Sequence, residues 1–260
     1  LVVEDDVALL RLLRRVLLDE GYDCILSQDG LSGIKLVQEQ NPALVLLDLM
    51  LPKLDGFEFC RQVRIRSQVP IIVLSGRHSE ADKVHAFKLG ADDYITKPFG
   101  IGELVARIRA VMRRSSSSMG ADAVSPLRVG DLVIDFDARR VSRDGGEVRL
   151  TPIEFDLLRA LAVNTGKVLT HQILLKQVWG PEYSAEREYL RVHLSHLRRK
   201  LEPDPANPRY ILTVPCVGYK FAWDTNGASE STVVVSTLPY QPAIAFQDPA
   251  VPIALGPALP

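Results

Sequence analysis

Over its first 112 residues the chain alternates short continuous apolar runs with segments of helical periodicity, five times in succession. Few architectures accept that rhythm. A run followed by a helix followed by another run is the unit from which parallel sheets wrapped by helices are assembled. Strands are expected at Leu1 to Val3, Asp23 to Ser27, Ala43 to Asp48, Val69 to Ser75 and Asp93 to Thr96. The intervening segments carry one apolar stripe each, as in Leu9, Leu10, Leu13, Val16 and Leu17. The runs LVLLDL and PIIVLS are continuous rather than alternating, so the sheet is expected to be buried on both faces. The fold class is therefore α/β, with a five-stranded parallel, doubly wound sheet.

That unit occupies less than half of the 260 residues. Residues 113–126 hold four consecutive serines, Gly120 and Pro126, and read as a linker. Residues 127–224 form a second, α+β pattern of strands with a Gly145-Gly146 turn, then helices, then a hairpin ending in Gly218, Tyr219, Lys220 and Phe221. In residues 225–260 the only charges are Glu230 and Asp248, and prolines recur to the end, so a disordered tail is expected. Its Val233 to Val235 run is the one stretch suited to pairing with a sheet edge.

With 31 basic and 32 acidic residues, and 47% of residues apolar, the composition supports a packed core and excludes a wholly disordered chain. No apolar run approaches the roughly 18 residues of a membrane span, and the first residues contain no basic n-region or cleavage site, so neither a membrane anchor nor a signal peptide is expected. Cys24, Cys60 and Cys216 are odd in number and form no C-x-x-C pair. A disulfide framework or thiolate metal site is not expected, and a cytoplasmic location fits.

In an open parallel sheet, ligands bind beyond the carboxyl ends of the strands. Glu4 and Asp5 follow the first strand, Asp48 ends the third, Ser75 ends the fourth, and Lys97 follows the fifth just before Pro98. Each has an ordinary explanation alone: Asp5 or Asp6 as a helix N-cap, Asp48 and Ser75 as loop residues, Lys97 as a surface charge. Five such side chains converging on one pocket are harder to dismiss. Three close carboxylates repel one another unless a cation lies among them, and magnesium (Mg2+) suits an oxygen donor set. Lys97 adds a positive point, and the set describes a site for a dianionic phosphoryl group.

The strings VVEDD, LLDLMLPKLDG, IIVLSG and DDYITKPF resemble the receiver domain of two-component response regulators, whose fold is flavodoxin-like. The resemblance implies that Asp48 is the phosphoacceptor for a sensor histidine kinase. It implies that Glu4, Asp5, Asp48 and the Met50 carbonyl hold magnesium, and that Ser75 and Lys97 bind the phosphoryl oxygens, with Lys97-Pro98 cis. Tyr94 is then the ring that swings inward when Ser75 engages the phosphate. Met50, apolar and two residues after Asp48, cannot orient an attacking water, and Arg77 is placed to shield the phosphate, so slow self-hydrolysis is expected.

In SAEREYLRVHLSHLRRKL, residues 184–201, Leu190, Leu194, Leu197 and Leu201 form one helical stripe. Arg191, Ser195 and Arg199 fall opposite it, flanked by His196 and Arg198. Val192 is expected to sit amid this basic face, where a thymine methyl would cover it, and Glu188 to mark its edge or accept from a cytosine amine. Together with LTPIEFDLLRAL, VLTHQILLKQVWG and YILTVPCVGYKF, the segment resembles the winged helix-turn-helix domain of OmpR/PhoB-type transcription factors. That resemblance implies double-stranded promoter DNA as partner, with RNA polymerase downstream, and Arg191, His193, His196, Arg198, Arg199, Thr213 and Lys220 as DNA-binding candidates. PFGIGELVARI, QVWGPEY and LEPDPANPRYI are most similar to the KdpE-type subfamily, which implies control of a potassium transport operon. Pro215 and Cys216 stand where the family's wing usually has an arginine and a glycine, so a tight turn there would be strained.

The family dimerises on phosphorylation through its fourth helix, fifth strand and fifth helix. Lys83 with Glu103 and Asp93 with Arg107 fit the charge pairs of that homodimer, and Val84 and Phe87 fit its apolar patch. Lys88 opposite Arg109 does not fit, which implies a weaker dimer. Two other readings remain: a DNA-binding regulator with a non-signalling receiver, and an aspartyl-phosphate hydrolase, which would want an aspartate at Met50. A non-enzymatic regulator is the expectation.

Overall fold

The computed structural model describes residues 1–116 (113–116 by backbone), 126–180, 183 and 186–222. The linker expected at 113–126 and the tail expected at 225–260, with its Val233 to Val235 run, fall largely or wholly outside them.

The first part is five strands, β1 (Val2–Val3), β2 (Leu26–Ser27), β3 (Val45–Asp48), β4 (Ile71–Ser75) and β5 (Asp93–Thr96). They alternate with α1 (Val7–Asp19), α2 (Gly30–Gln40), α3 (Gly56–Arg66), α4 (Glu80–Lys88) and α5 (Ile101–Ser116). All neighbours pair in parallel, in the order β2-β1-β3-β4-β5. Alternate residues of the same strands enter different cores, because successive side chains point to opposite faces. Val3, Val45, Leu47, Ile71 and Val73 pack with Val37, Phe59, Val63 and Phe87 of α2, α3 and α4. Val2, Leu46, Ile72, Leu74 and Ile95 pack with Leu10, Leu13, Leu104 and Ile108 of α1 and α5. Both faces are covered, which is why the sequence shows unbroken apolar runs. Helix α5 continues to Ser116, into the segment read as linker.

The second part begins with an antiparallel sheet of β6 (Leu127–Val129), β7 (Leu132–Asp135), β8 (Arg140–Arg143) and β9 (Gly146–Glu147). The turn joining β8 to β9 is Asp144-Gly145, one residue earlier than the Gly145-Gly146 expected. Its two central residues have φ of 51° and 78°, the positive pair that a two-residue hairpin loop requires, and aspartate tolerates that region. Three helices follow, α6 (Pro152–Ala162), α7 (His171–Val178) and α8 (Arg187–Leu201). Thr151 and Glu154 form a reciprocal capping box at the start of α6. A short strand, β10 (Val168–Thr170), lies between α6 and α7 and was not apparent from the sequence. It pairs with the terminal hairpin of β11 (Ile211–Val214) and β12 (Gly218–Phe221), closing a sheet in the order β10-β12-β11. Gly218 is required there, since a Cβ would lie 2.0 Å from the Leu169 carbonyl oxygen. The buried cluster on the α4 side of the first sheet continues into the core of this second part.

Candidate functional site

The strand order reverses between β1 and β3, and the crevice beyond their carboxyl ends holds the acidic residues. The choice between Asp5 and Asp6 is resolved by capping. Asp6 accepts from the backbone N–H of Ala8 and Leu9 and starts α1, while Asp5 stays exposed at the mouth of the crevice. Glu4 and Asp48 lie below it, 1% and 3% exposed. One carboxylate oxygen from each of Glu4, Asp5 and Asp48 lies within 4.8 Å of the others. Gly56 makes the close packing behind Asp48 possible: a Cβ there would sit 2.5 Å from the Asp48 carbonyl oxygen.

Lys97 arrives from the end of β5, where its N–H donates to Ser75 O at 2.8 Å and its peptide to Pro98 is cis. Its ammonium donates to Asp48 Oδ2 at 2.6 Å and to Glu4 Oε2 at 2.7 Å. The other Asp48 oxygen accepts from the Met50 N–H at 3.0 Å. Burial, and secondarily the charge of Asp48, hold the Glu4 carboxyl above the usual range despite Lys97. Burial pulls Lys97 down, but its bonds to Asp48 and Glu4 outweigh that and raise it. Lys97 therefore stays charged and neutralises a site otherwise made of carboxylates. Those oxygens are the donors a hard divalent cation prefers, so the residues fit magnesium.

The switch residues are adjacent. Ser75 is fully buried, and its Oγ accepts from the Arg77 N–H at 3.2 Å. Tyr94 is already enclosed, 2% exposed, with its hydroxyl donating to Arg77 O at 2.8 Å. Arg77, expected to shield the phosphate, instead pairs with Asp82 at 3.3 Å and lies over the Phe57 ring. Met50 is 57% exposed.

On α8 the leucine stripe is buried as expected, and Arg191, Ser195 and Arg199 are exposed. Arg187 extends this exposed row by one turn. It was overlooked, although its spacing of four from Arg191 was the available signal. Four expectations for this helix are corrected. Val192, His193 and His196 are buried, at 7%, 2% and 8% exposure, and do not face solvent. His196 faces buried Glu154, its Nδ1 3.7 Å from the carboxylate. Burial, then the charges of Arg199 and Lys200, lower its pKa to about 4. His193 lies between the rings of Phe87 and Trp179. Arg198 donates twice to Ile211 O and once to Thr213 Oγ1, which ties α8 to β11 rather than pointing the guanidinium outward. Thr213 is exposed and Lys220 half-buried on the hairpin.

The expected dimer residues are also differently placed. Phe87 is fully buried under the second part of the chain, 4.2 Å from the Tyr189 ring. Arg107 pairs with both Asp93 and Glu103 of its own chain, at 3.0 and 2.8 Å. Lys83 lies over the Tyr94 ring, and Val84 is half-buried.

Residues 1–109 match the response regulator receiver domain, and residues 145–221 match the C-terminal domain of transcriptional regulatory proteins. The chain is 47% identical over 221 residues to the KDP operon transcriptional regulatory protein KdpE of Escherichia coli, covering 85% of this chain and 97% of that one. The chain belongs to the OmpR/PhoB-type response regulators. Within that family it is also 46% identical to the DNA-binding response regulator MtrA of Mycolicibacterium smegmatis, covering 85% of this chain and 95% of the relative. Against the transcriptional regulatory protein KdpE of Mycobacterium tuberculosis it is 43% identical, with coverage of 85% and 97%. A solved structure of a RitR cysteine mutant superposes with a TM-score of 0.69 at 28% identity, covering 86% of this chain and 98% of that one. An OmpR/PhoB-type response regulator is a phosphorylation-activated transcription regulator of a two-component system, with a receiver and a DNA-binding domain, and this chain has both. No helix among the described residues is long and apolar enough to cross a membrane.

Proposed function

We propose that Asp48 is the phosphoacceptor of this regulator and that the phosphoryl donor is the phosphohistidine of a sensor kinase. The observation that carries the proposal is the joint placement of Asp48, Glu4 and Asp5 within one carboxylate cluster, with Lys97 bridging two of them. In the transfer, an Asp48 carboxylate oxygen forms the new O–P bond as the P–N bond to the kinase imidazole breaks, and that imidazole takes up a proton. Glu4, Asp5, Asp48 and the Met50 carbonyl would hold a magnesium ion, which supplies neutralising charge for the dianionic phosphoryl group. Lys97 then exchanges part of its bond with Asp48 for a phosphoryl oxygen, and the Ser75 hydroxyl turns toward the same group. Most of the acceleration comes from positioning and charge, since the protein has little covalent work to do.

The chain acts in this reading as a switch in the cytoplasm and not as an enzyme that turns over a substrate. Exposed Met50 offers no acid or base beside Asp48, which favours a long-lived phosphoryl group over hydrolysis. The phosphorylated form pairs with a second copy and places α8 in the major groove of promoter DNA, upstream of RNA polymerase. Arg187, Arg191 and Arg199 would face the DNA, with Thr213 and Lys220 from the hairpin beside them. Control of a potassium transport operon is supported by the KdpE relatives, although the MtrA relative is almost as similar. Its test is transcription of potassium transport genes under potassium limitation in a strain lacking the protein; unchanged induction overturns it.

The phosphoacceptor is tested by incubating the full chain with acetyl phosphate and magnesium and weighing the intact protein. The expected result is the added mass of one phosphoryl group, lost in Asp48→Asn and without magnesium. No gain in the unaltered protein would establish a receiver that does not signal, and a gain retained by Asp48→Asn would move the acceptor elsewhere.

A further inference from the structure

Between Asp48 and α3 the chain makes a loop in which Lys53 adopts a backbone conformation that side chains rarely take. Its φ is 66°, and the Leu54 N–H donates to the Pro52 carbonyl at 2.8 Å, so Lys53 is the centre of a three-residue turn. A turn of that hand is strained for a residue with a Cβ, and it persists only where its surroundings fix it. Two contacts fix it here. The Lys53 ammonium donates to Asp29 Oδ2 at 2.8 Å, and Gly30 lies so close to the loop that a Cβ on it would sit 2.6 Å from the Leu54 carbonyl oxygen.

Asp29 is itself firmly held. It is 8% exposed, caps α2 by accepting from the Ser32 N–H at 2.9 Å, and accepts from the Ser32 hydroxyl at 3.0 Å. Its carbonyl accepts from Ser27 Oγ, at the end of β2, at 2.9 Å. The Lys53 bond, and after it the Ser32 N–H, draw the Asp29 carboxyl down to about 2, so both partners of the pair are charged at neutral pH. The loop is thereby tied in its middle as well as at its ends, where the Met50 N–H donates to Asp48 Oδ1 at 3.0 Å and the Gly56 N–H to Leu49 O at 3.0 Å.

We propose that Lys53 and Asp29 are positioning residues for magnesium, their ion pair fixing the β3–α3 loop that carries the Met50 carbonyl. The inference rests on the reading above, in which Glu4, Asp5, Asp48 and that carbonyl hold the ion. Three of those donors are carboxylates that follow or end β1 and β3, whereas the fourth belongs to the loop and depends on whatever holds it. Groups that orient a metal's ligands alter its affinity by roughly 10–100-fold. The Lys53 side chain is 61% exposed, so solvent screens the pair and a smaller effect, about 3-fold, is expected. Its sign separates positioning from charge. A lysine acting only through its charge repels a cation, and its removal would tighten magnesium; a lysine acting through the loop does the opposite.

The test is calorimetric titration of the full, unphosphorylated chain with magnesium chloride. Lys53→Met keeps a long unbranched side chain without the charge, and Asp29→Asn keeps a residue that caps helices equally well. Each should weaken magnesium about 3-fold, and the double variant no more than either alone, because the same pair is lost in all of them. Lys53→Gly removes the pair and relaxes the turn together. Magnesium should weaken there as it does in Lys53→Met; a loss confined to Lys53→Met would trace to the strained turn and overturn the role of the pair. Unchanged or tighter binding in Lys53→Met, or opposite effects that cancel in the double variant, would also refute positioning and leave the magnesium site standing. If the parent protein takes up no magnesium, or takes it up equally after Asp5→Asn, the site itself fails and the pair has nothing to position.

Discussion

Cys216 sits at the tip of the terminal hairpin with φ of 64°, in a turn closed by a bond from the Val217 N–H to Val214 O at 3.1 Å. Its backbone occupies the left-handed region, which places Cβ close to the carbonyl oxygen and costs an L-residue about 1 kcal/mol or more. Glycine is free of that penalty, though it loses more chain entropy on folding. Cys216→Gly is therefore expected to raise stability by up to about 1 kcal/mol, read as a higher urea midpoint at unchanged slope. An unchanged or lower midpoint would contradict the strain. The strain at this position was expected from the family resemblance, which puts a glycine where Cys216 stands. The pocket residues were legible in the sequence alone, because a strand end fixes where its last side chain points. What the sequence left open there was the division of labour between neighbours, settled when Asp6 took the cap and left Asp5 at the crevice.

At the scale of the element, α8 shows how far periodicity reaches. The leucine stripe and the exposed arginine row follow from a 3.6-residue repeat and were visible directly. Periodicity did not say that the helix is enclosed over more than one stripe, so Val192, His193 and His196, assigned to an outer face, are buried. His196 carries a measurable consequence. It is a base whose folded pKa, about 4, lies below the 6.5 of an open imidazole. On acidification the unfolded chain takes up the proton first. Stability from this group is thus complete above pH 6.5 and is lost as pH falls toward 4, by about 3 kcal/mol in all. His196→Gln cannot take up that proton, so its stability should fall less than the parent's across the same window. Chemical unfolding at the two ends of the window measures this, and an equal fall in both proteins would show that His196 is not the acid-sensitive group.

For the whole molecule, near-zero net charge hides a division. Residues 1–112 carry 14 basic and 16 acidic side chains, and residues 127–224 carry 15 and 13. The excess positive charge lies in the part that would meet DNA phosphates. The two parts nevertheless share one buried cluster that passes through Phe87, and cooperative units are defined by shared packing rather than by chain position. Calorimetry of the unphosphorylated chain is expected to show one unfolding transition, with equal calorimetric and van't Hoff enthalpies. Two resolved transitions would mean that the contacts of Trp179 with Asp92, Tyr183 with Asp93 and Tyr189 with Phe87 couple the domains only weakly.

The sequence by itself determined the parallel sheet, the convergence of Glu4, Asp5, Asp48, Ser75 and Lys97 and the basic row on α8. Each follows from a repeat or turn spanning a few residues, where side-chain direction is set by local backbone geometry. Only the tertiary structure decided that Phe87 and His193 are inside, that Arg198 holds a strand, and that Tyr183 is bonded to the Asp93–Arg107 pair. The burial of Phe87 and His193 and the bonding of Tyr183 depend on surfaces roughly ninety or more residues apart coming together, and Arg198 reaches a strand 13 residues further along the chain. Nothing in the spacing of either segment encodes that approach; it comes from burying aromatic area and satisfying buried charges once both domains are formed.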